Sequence, residues 1–222
     1  MTKNLKIDHI RHLSFAAVGG FFGAYAILCR CGVLASAQTM NLLDLTISAL
    51  RGDGVAVLLH FGAFVLYVLG TMLTILLPHY FRVNIHKAVP VIDAAMCVVL
   101  FFIPEDANIM LGLYPIFFAV SVQWSAFSGA QGFVSSTIFS TNNTKQASLA
   151  LANFITDKDK KHFKKVWFYV STLLAFHLGA IVSFFAVELL GTKGSLVNII
   201  LIVVAYCMVV AEEKQAALSK EE

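Results

Sequence analysis

Long stretches of the chain carry no Asp, Glu, Lys or Arg. They are residues 12–29, 54–81, 107–144, 166–187 and 194–211, of 18, 28, 38, 22 and 18 residues. A sixth run, 88–103, has 16 residues and is interrupted only by Asp93. About 20 apolar residues carry a helix across a bilayer. The pattern predicts an all-α integral membrane protein with six transmembrane helices, roughly 13–36, 54–77, 88–103, 107–128, 166–190 and 194–211. Two apolar stretches are left over, 38–50 and 133–155, both dotted with Ser, Thr, Asn and Gln. These read as two short broken or interfacial helices.

Composition agrees. Of 222 residues, 59% are hydrophobic and 13% are charged, against about 25% charged in soluble domains. Mean hydropathy is +0.80. The balance excludes a soluble enzyme, a disordered chain, a nucleic-acid binder and a disulfide scaffold. A net charge of +3 gives no reason to expect a polyanionic partner. Cys29, Cys31, Cys97 and Cys207 form no CxxC pair and lie in apolar segments, so they read as small core residues. The basic N-terminus, with Lys3, Lys6 and Arg11 before an apolar run, reads as the flank of a first spanning helix rather than a signal peptide.

With six spans and an inner N-terminus, thirteen basic residues fall inside and three outside, the latter being Arg30, Arg51 and Lys193. The positive-inside rule then places both termini in the cytoplasm of a multi-pass cell-membrane protein. The segment Asp157–Lys165 becomes the main cytoplasmic loop. It serves as a topology signal near anionic lipid, with a regulatory or head-group site as the sharper alternative.

The chain reads as one membrane domain, 1–222, with an internal repeat. Thr39-Met40-Asn41 matches Thr141-Asn142-Asn143 at an offset of 102, and His60-Phe61-Gly62-Ala63 matches His177-Leu178-Gly179-Ala180 at 117. The charged insertion near 156–165 accounts for the growth in offset. Repeat one covers about 13–103 and repeat two about 107–211. Three spans in each make the second half inverted relative to the first, a recurring design of secondary transporters.

The polar breaks are Ser36–Asn41 and Ser135–Thr144. A helix that breaks at depth must face protein or a water-filled cavity. A plainer reading has Thr and Asn capping short helices 42–50 and 144–155 at the membrane surface. Asn142-Asn143-Thr144 also matches a glycosylation sequon, which a cytoplasmic position would leave unmodified.

Ionisable residues within a bilayer are functional candidates by default. Arg30 is a candidate to hold an anionic solute, to pair with Asp44 or to snorkel to head groups. Asp93 is a proton carrier or the partner of Lys87 or Arg82. His60 and His177 are a repeat-related pair that titrates near neutrality or bonds neighbouring helices. No Walker loop, HExxH, GxSxG or dinucleotide fingerprint occurs. The expectation is no enzyme, no cofactor, no metal and no catalytic residues.

Leu34-Ala35-Ser36-Ala37-Gln38-Thr39-Met40-Asn41-Leu42 resembles the A-x-A-Q-T-G-N-L motif of the YoaK family of bacterial membrane proteins. Gly20-Phe21-Phe22-Gly23-Ala24-Tyr25 resembles that family's G-[FY]-[LV]-D-A-Y segment. Gln123-Trp124-Ser125-Ala126-Phe127 and Ser136–Asn143 resemble its Q-[WN]-N-A-F and T-T-[YF]-x-T-G-N motifs. The resemblance runs over about 13–210. Three positions depart: Gly23 stands where the family has an acid, and Met40 and Asn142 where it has glycines. The resemblance implies six helices per chain, laid out like one half of a major facilitator transporter, with two chains forming a full-size one.

The expected function is a small-solute secondary transporter or permease working as a homodimer in membrane lipid. Its cavity would be lined by Gln38, Thr39, Asn41, Gln123, Trp124, Thr141, Asn142 and Asn143. Arg30, His60, Asp93 and His177 are the ion-coupling candidates. Asn41→Ala or Asn143→Ala is expected to abolish uptake while leaving folding intact. The alternatives are a non-transporting scaffold or partner subunit, and a membrane-embedded enzyme acting on lipid.

Overall fold

The computed structural model describes residues 3–30, 34 and 38–221, with side chains from 6 to 218. The elements are α1 (Lys3–Cys29), α2 (Gln38–Leu50), α3 (Gly54–Phe81), α4 (Ile85–Phe102), α5 (Ile109–Ala126), a hairpin of β1 (Gly129–Ala130) and β2 (Phe133–Val134), α6 (Thr141–Asp157), α7 (Lys160–Leu190), a 3₁₀ turn (Gly191–Val197) and α8 (Asn198–Glu221). Five stretches are long and apolar enough to cross a membrane: Lys6–Cys29, Gly54–Phe81, Ile85–Phe102, Ile109–Ala126 and Lys160–Leu218. The chain is thus an all-helical protein of multi-pass membrane character. The last stretch joins α7 and α8 across the 3₁₀ turn. Its 59 residues would extend about 89 Å as a single rod. Instead α7 and α8 both pack on α1, so the chain reverses at the turn.

Local chemistry sets the boundaries. Asp53 accepts from the amide of Ala56, Asn84 from His86 and Lys87, Asn108 from Met110 and Leu111, and Asp159 from Lys161. Each side chain satisfies amide donors that a helix start leaves free. Arg82 and Lys158 close α3 and α6 in the left-handed region, at φ 54° and 59°. The hairpin turns through Gln131 and Gly132, at φ 54° and 78°, the pair of positive values that a tight primed turn requires.

Several expected boundaries move. The first span was placed at 13–36, but α1 runs Lys3–Cys29. Cys31, Ser36 and Ala37 lie outside the described residues. Most of the expected loop 156–165 is helical, because Asp159 caps α7 and Lys is a good helix former. The expected piece 133–155 is instead strand β2, an irregular segment 135–140 and α6. α2 and α6 begin at Gln38 and Thr141. Asn41 and Asn143 therefore sit inside the first turn rather than capping helices at 42 and 144. Among the cysteines, Cys97 is buried as expected, Cys29 is half-buried and Cys207 is exposed.

The centre of the bundle is α1 and α5, the two most buried spans. α1 packs on α7, α8 and α5, and α5 packs on α3, α4 and α1. α2 lies on α3, α6 lies on α7, and α4 meets α8. The core between them is apolar and includes Phe15, Phe21, Phe22, Tyr25, Leu113, Ile116, Phe117 and Val120.

Glycines permit the close crossings. A Cβ on Gly20 would lie 1.8 Å from the carbonyl oxygen of Phe176, and one on Gly179 would lie 1.9 Å from that of Ala17. Gly62 faces the Tyr114 hydroxyl, and Gly70 faces Ser121 and the Phe118 carbonyl. Small residues at such points let membrane helices gain dispersion contacts in lipid, where no hydrophobic force pulls them together. Gly23 differs, since a Cβ there meets only Leu34 and Phe176 side chains at 3.6 Å. Gly20→Ala should therefore destabilise the protein by about 1–3 kcal/mol through backbone overpacking, while Gly23→Ala should change stability by less than about 0.5 kcal/mol. Thermal unfolding of both variants in one detergent checks the contrast.

Candidate functional site

The eight cavity residues expected from sequence do not line one cavity. They gather at opposite ends of the bundle. One group lies near Arg30, where α1 ends. The other lies near His12, about 27 Å earlier along the α1 axis.

At the Arg30 end, the buried Asn41 of α2 reaches α3. Its Nδ2 donates to the His60 carbonyl at 3.0 Å and to Gln38 Oε1 at 3.3 Å, and its Oδ1 meets His60 Nδ1 at 2.9 Å. The second contact to His60 fixes the ring as donor, because an amide oxygen only accepts. Leu34, Met40, Asn41, Asp44, His60, Met110 and Phe117 surround a small crevice. It lies beside a cleft of about 540 Å³ lined in part by Asp44, His60, Asp106 and Asn108. Gln38 is half-buried beside Asn41, and Thr39 is exposed.

Arg30 borders this end, and two of the things expected of it, snorkelling and a pair with Asp44, are not seen. It is 1% exposed, so it does not snorkel. It makes no ion pair with Asp44. Its guanidinium donates to the carbonyls of Glu105 at 3.1 Å and Pro104 at 3.3 Å and lies against Gly112. Those carbonyls follow the C-terminus of α4, where the helix dipole favours a cation. The planar fork of donors matches two successive carbonyls better than it would reach past them to Asp44.

At the His12 end, Asn143 of α6 is also buried. Its Nδ2 donates to the Ser136 carbonyl at 2.7 Å. Its Oδ1 accepts from Ser135 Oγ at 2.9 Å and from the Ser136 amide at 3.2 Å. Ser135 Oγ also meets His12 Nε2 at 2.9 Å. Gln123 donates to the Phe15 carbonyl at 3.0 Å and to Thr137 Oγ1 at 2.9 Å. These bonds hold the irregular segment 135–140 against α1, as required of non-helical backbone packed inside a membrane protein. Trp124 stacks edge-on against Phe139, with ring centres 5.1 Å apart. Thr141 is exposed and Asn142 half-buried.

The two repeat-related histidines have different roles. His60 holds Asn41. His177 lies on the exposed face of α7 and bonds the Leu173 carbonyl of its own helix at 2.7 Å. Asp93 is 0% exposed, and neither carboxylate oxygen has a hydrogen-bond partner among the described residues. The expected pair with Lys87 or Arg82 is absent. Lys87 pairs instead with Glu213 at 2.6 Å, because both stand where α4 begins and α8 nears its end. Arg82 is exposed beyond the end of α3.

Sequence reasoning missed His12 and Asn198, and named Ser135 and Thr137 only as part of a polar break. His12 opens the first uncharged run and looked like its edge. The amphipathic break 135–140 concealed which hydroxyls turn inward. Among the described residues, no group of three or more His, Cys, Asp or Glu is placed to hold a metal.

The buried bonds of Asn143 alter one expectation. Asn143→Ala leaves the Ser136 carbonyl and amide unpaired, which should cost about 1–3 kcal/mol of stability. Asn142→Ala should be close to neutral. Thermal unfolding of the two variants side by side measures the difference.

A family model described as "Protein of unknown function (DUF1275)" matches residues 12–211. No curated protein and no solved structure matches the chain. The matched region takes in all of the spanning stretches but the outer ends of the first and last, and both polar ends. The chain belongs to the DUF1275 family, whose function is unknown.

Proposed function

We propose that this protein is a secondary transporter or permease for a small polar solute, built from two inverted repeats of three crossings and working as a homodimer. What carries the reading is the behaviour of the packing pattern under exchange of halves. When α1 to α4 are exchanged with α5 to α8, the contact of α1 with α7 becomes that of α5 with α3. Likewise α2 on α3 becomes α6 on α7, and α1 on α8 becomes α5 on α4. The contacts of α1 with α5 and of α4 with α8 map onto themselves. The hairpin and the 3₁₀ turn have no counterpart. Repeats of opposite topology that meet in this way are the frame of alternating-access transporters.

Six crossings follow if α7 and α8 cross separately. The excess of basic residues then puts the His12 end and both termini inside, and the Arg30 end outside. The polar breaks accordingly stand at opposite mouths of the bundle. Between them each chain is filled by Phe15, Phe22, Leu113, Ile116 and Phe117. An apolar packed core offers a polar solute no route, which supports a pathway between two chains. The outer cleft with Asp44, His60, Asp106 and Asn108 supports solute entry there. The same fold without a solute would serve as a partner subunit.

Native mass spectrometry from mild detergent should give a dimer. Uptake into proteoliposomes, for a solute first found by thermal-shift screening, should fall roughly tenfold in Asp44→Asn or Asn142→Ala, the equivalent of one lost hydrogen bond to the solute. A lone protomer with unchanged uptake in both variants would overturn the reading.

A further inference from the structure

Asp93 stands midway along α4, eight residues from Ile85 and nine from Phe102. If α4 crosses the membrane, that is close to the bilayer centre, about 12 Å from its first residue. The carboxyl is buried where α4 packs on α5, α8 and the 3₁₀ turn, and the α4–α8 pair maps onto itself when the halves are exchanged. Its surroundings are polar but unsatisfied. Cys97, one turn further along α4, is buried, and its thiol faces Asp93 and the Asn198 side chain. Asn198, the first residue of α8, is fully buried, with both amide atoms lacking a well-formed hydrogen bond among the described residues. Ser195 Oγ donates to the Cys97 carbonyl at 3.0 Å, tying the 3₁₀ turn to this point.

Among the described residues, no ion pair balances the Asp93 carboxyl. The elements packed on α4 are α5, α8, the 3₁₀ turn and, at its edge, α3. α5 carries no Asp, Glu, Lys, Arg or His, and its Tyr114 is committed to the Leu59 carbonyl on α3. On α3 the titratable groups are His60, Tyr67, His79 and Tyr80, of which His60 is bound to Asn41. The 3₁₀ turn offers only Lys193, which is exposed. On α8 the groups with described side chains are Tyr206, the exposed Cys207 and, beyond it, Glu212, Glu213 and Lys214. Glu212 is bound to Arg11 and Glu213 to Lys87. A sodium or calcium ion needs several oxygen ligands held together, and one carboxyl with one amide does not supply them. A proton needs only the carboxyl.

We propose that Asp93 is a proton-binding site at mid-membrane, and that separation of α4 from α8 lets its proton exchange with water. This deepens the transport reading by naming its coupling ion, and the function of the exchange rests on that reading. The balance is simple: the O–H bond of the Asp93 carboxylic acid breaks, the proton passes to water, and a carboxylate remains.

The test is infrared difference spectroscopy of the full chain in lipid vesicles, stepped in pH on both sides. The wild type should show the carbonyl band of one protonated carboxyl per chain, falling as pH rises. Asp93→Asn should lose the band. Asn198→Leu keeps the acid and should retain the band at a shifted frequency, so the site stays testable if Asp93→Asn fails to fold. A band constant at every pH marks a permanently protonated structural group and overturns the proposal. So does a band that Asp93→Asn leaves intact. Uptake separates this from the broader reading. A titrating band with no uptake of any solute leaves the site standing and removes the transporter. Uptake indifferent to a pH gradient, with no titrating band, removes the site and leaves the transporter.

Discussion

Where α1 crosses α7, Gly20 lies under the carbonyl of Phe176 and Gly179 under that of Ala17, with no room for a methyl group on either. In lipid no hydrophobic force draws helices together, so contact area and internal hydrogen bonding must hold them. This crossing fixes the depth of α1 in the bundle. The depth in turn sets which α1 groups meet the irregular segment 135–140. His12 reaches Ser135, and the Phe15 carbonyl accepts from Gln123. At the other end, the Tyr25 hydroxyl meets the Thr192 carbonyl at 2.7 Å, and Arg30 caps the loop after α4. A shift of α1 along α7 would break contacts at both ends together.

The charged network at the His12 end obeys the same geometry. Arg11 binds Asp8 at 2.7 Å and also Glu212 of α8, and the second oxygen of Asp8 accepts from the Gln131 amide at 2.6 Å. Lys87 binds Glu213. These bonds link α1, α8, the hairpin and the start of α4. The Arg30 end has no such network among the described residues, and its polar groups border an open cleft. Among the described residues the two ends differ: ion pairs join the elements of one, and a cleft lies at the other.

Much of the architecture could be read from the sequence, because uncharged runs of membrane length leave few alternatives. α2 was found in place, from its amphipathic run between polar residues. The start of α7 was not, because Lys160–Lys165 reads as a loop by charge alone, although lysine favours helix and Asp159 supplies the cap. The hairpin was missed, although Gln131-Gly132 is a turn signal. Of the polar residues, Asn41 and Asn143 were found by their matching positions, and both are buried and fully engaged. Their engagement was not legible, since it depends on which backbone carbonyl lies opposite. Arg30 and Asp93 were flagged by cost alone. Cost says that a charge in a membrane needs a reason, but only the packing shows that Arg30 has two carbonyls and that Asp93 has no partner among the described residues.

The reversal between α7 and α8 bears on how the protein enters a membrane. Between Val166 and Ala211 the chain carries only two charges, Glu188 and Lys193, and both lie at or beside the turn. Paired helices of this kind can be inserted together as a hairpin, so that only the turn is carried through the hydrocarbon. Gly191, at φ 58°, marks where that turn begins. A residue there that resisted positive φ would extend the helix and draw Lys193 toward the lipid. The return of α8 towards α1 therefore depends on one backbone angle.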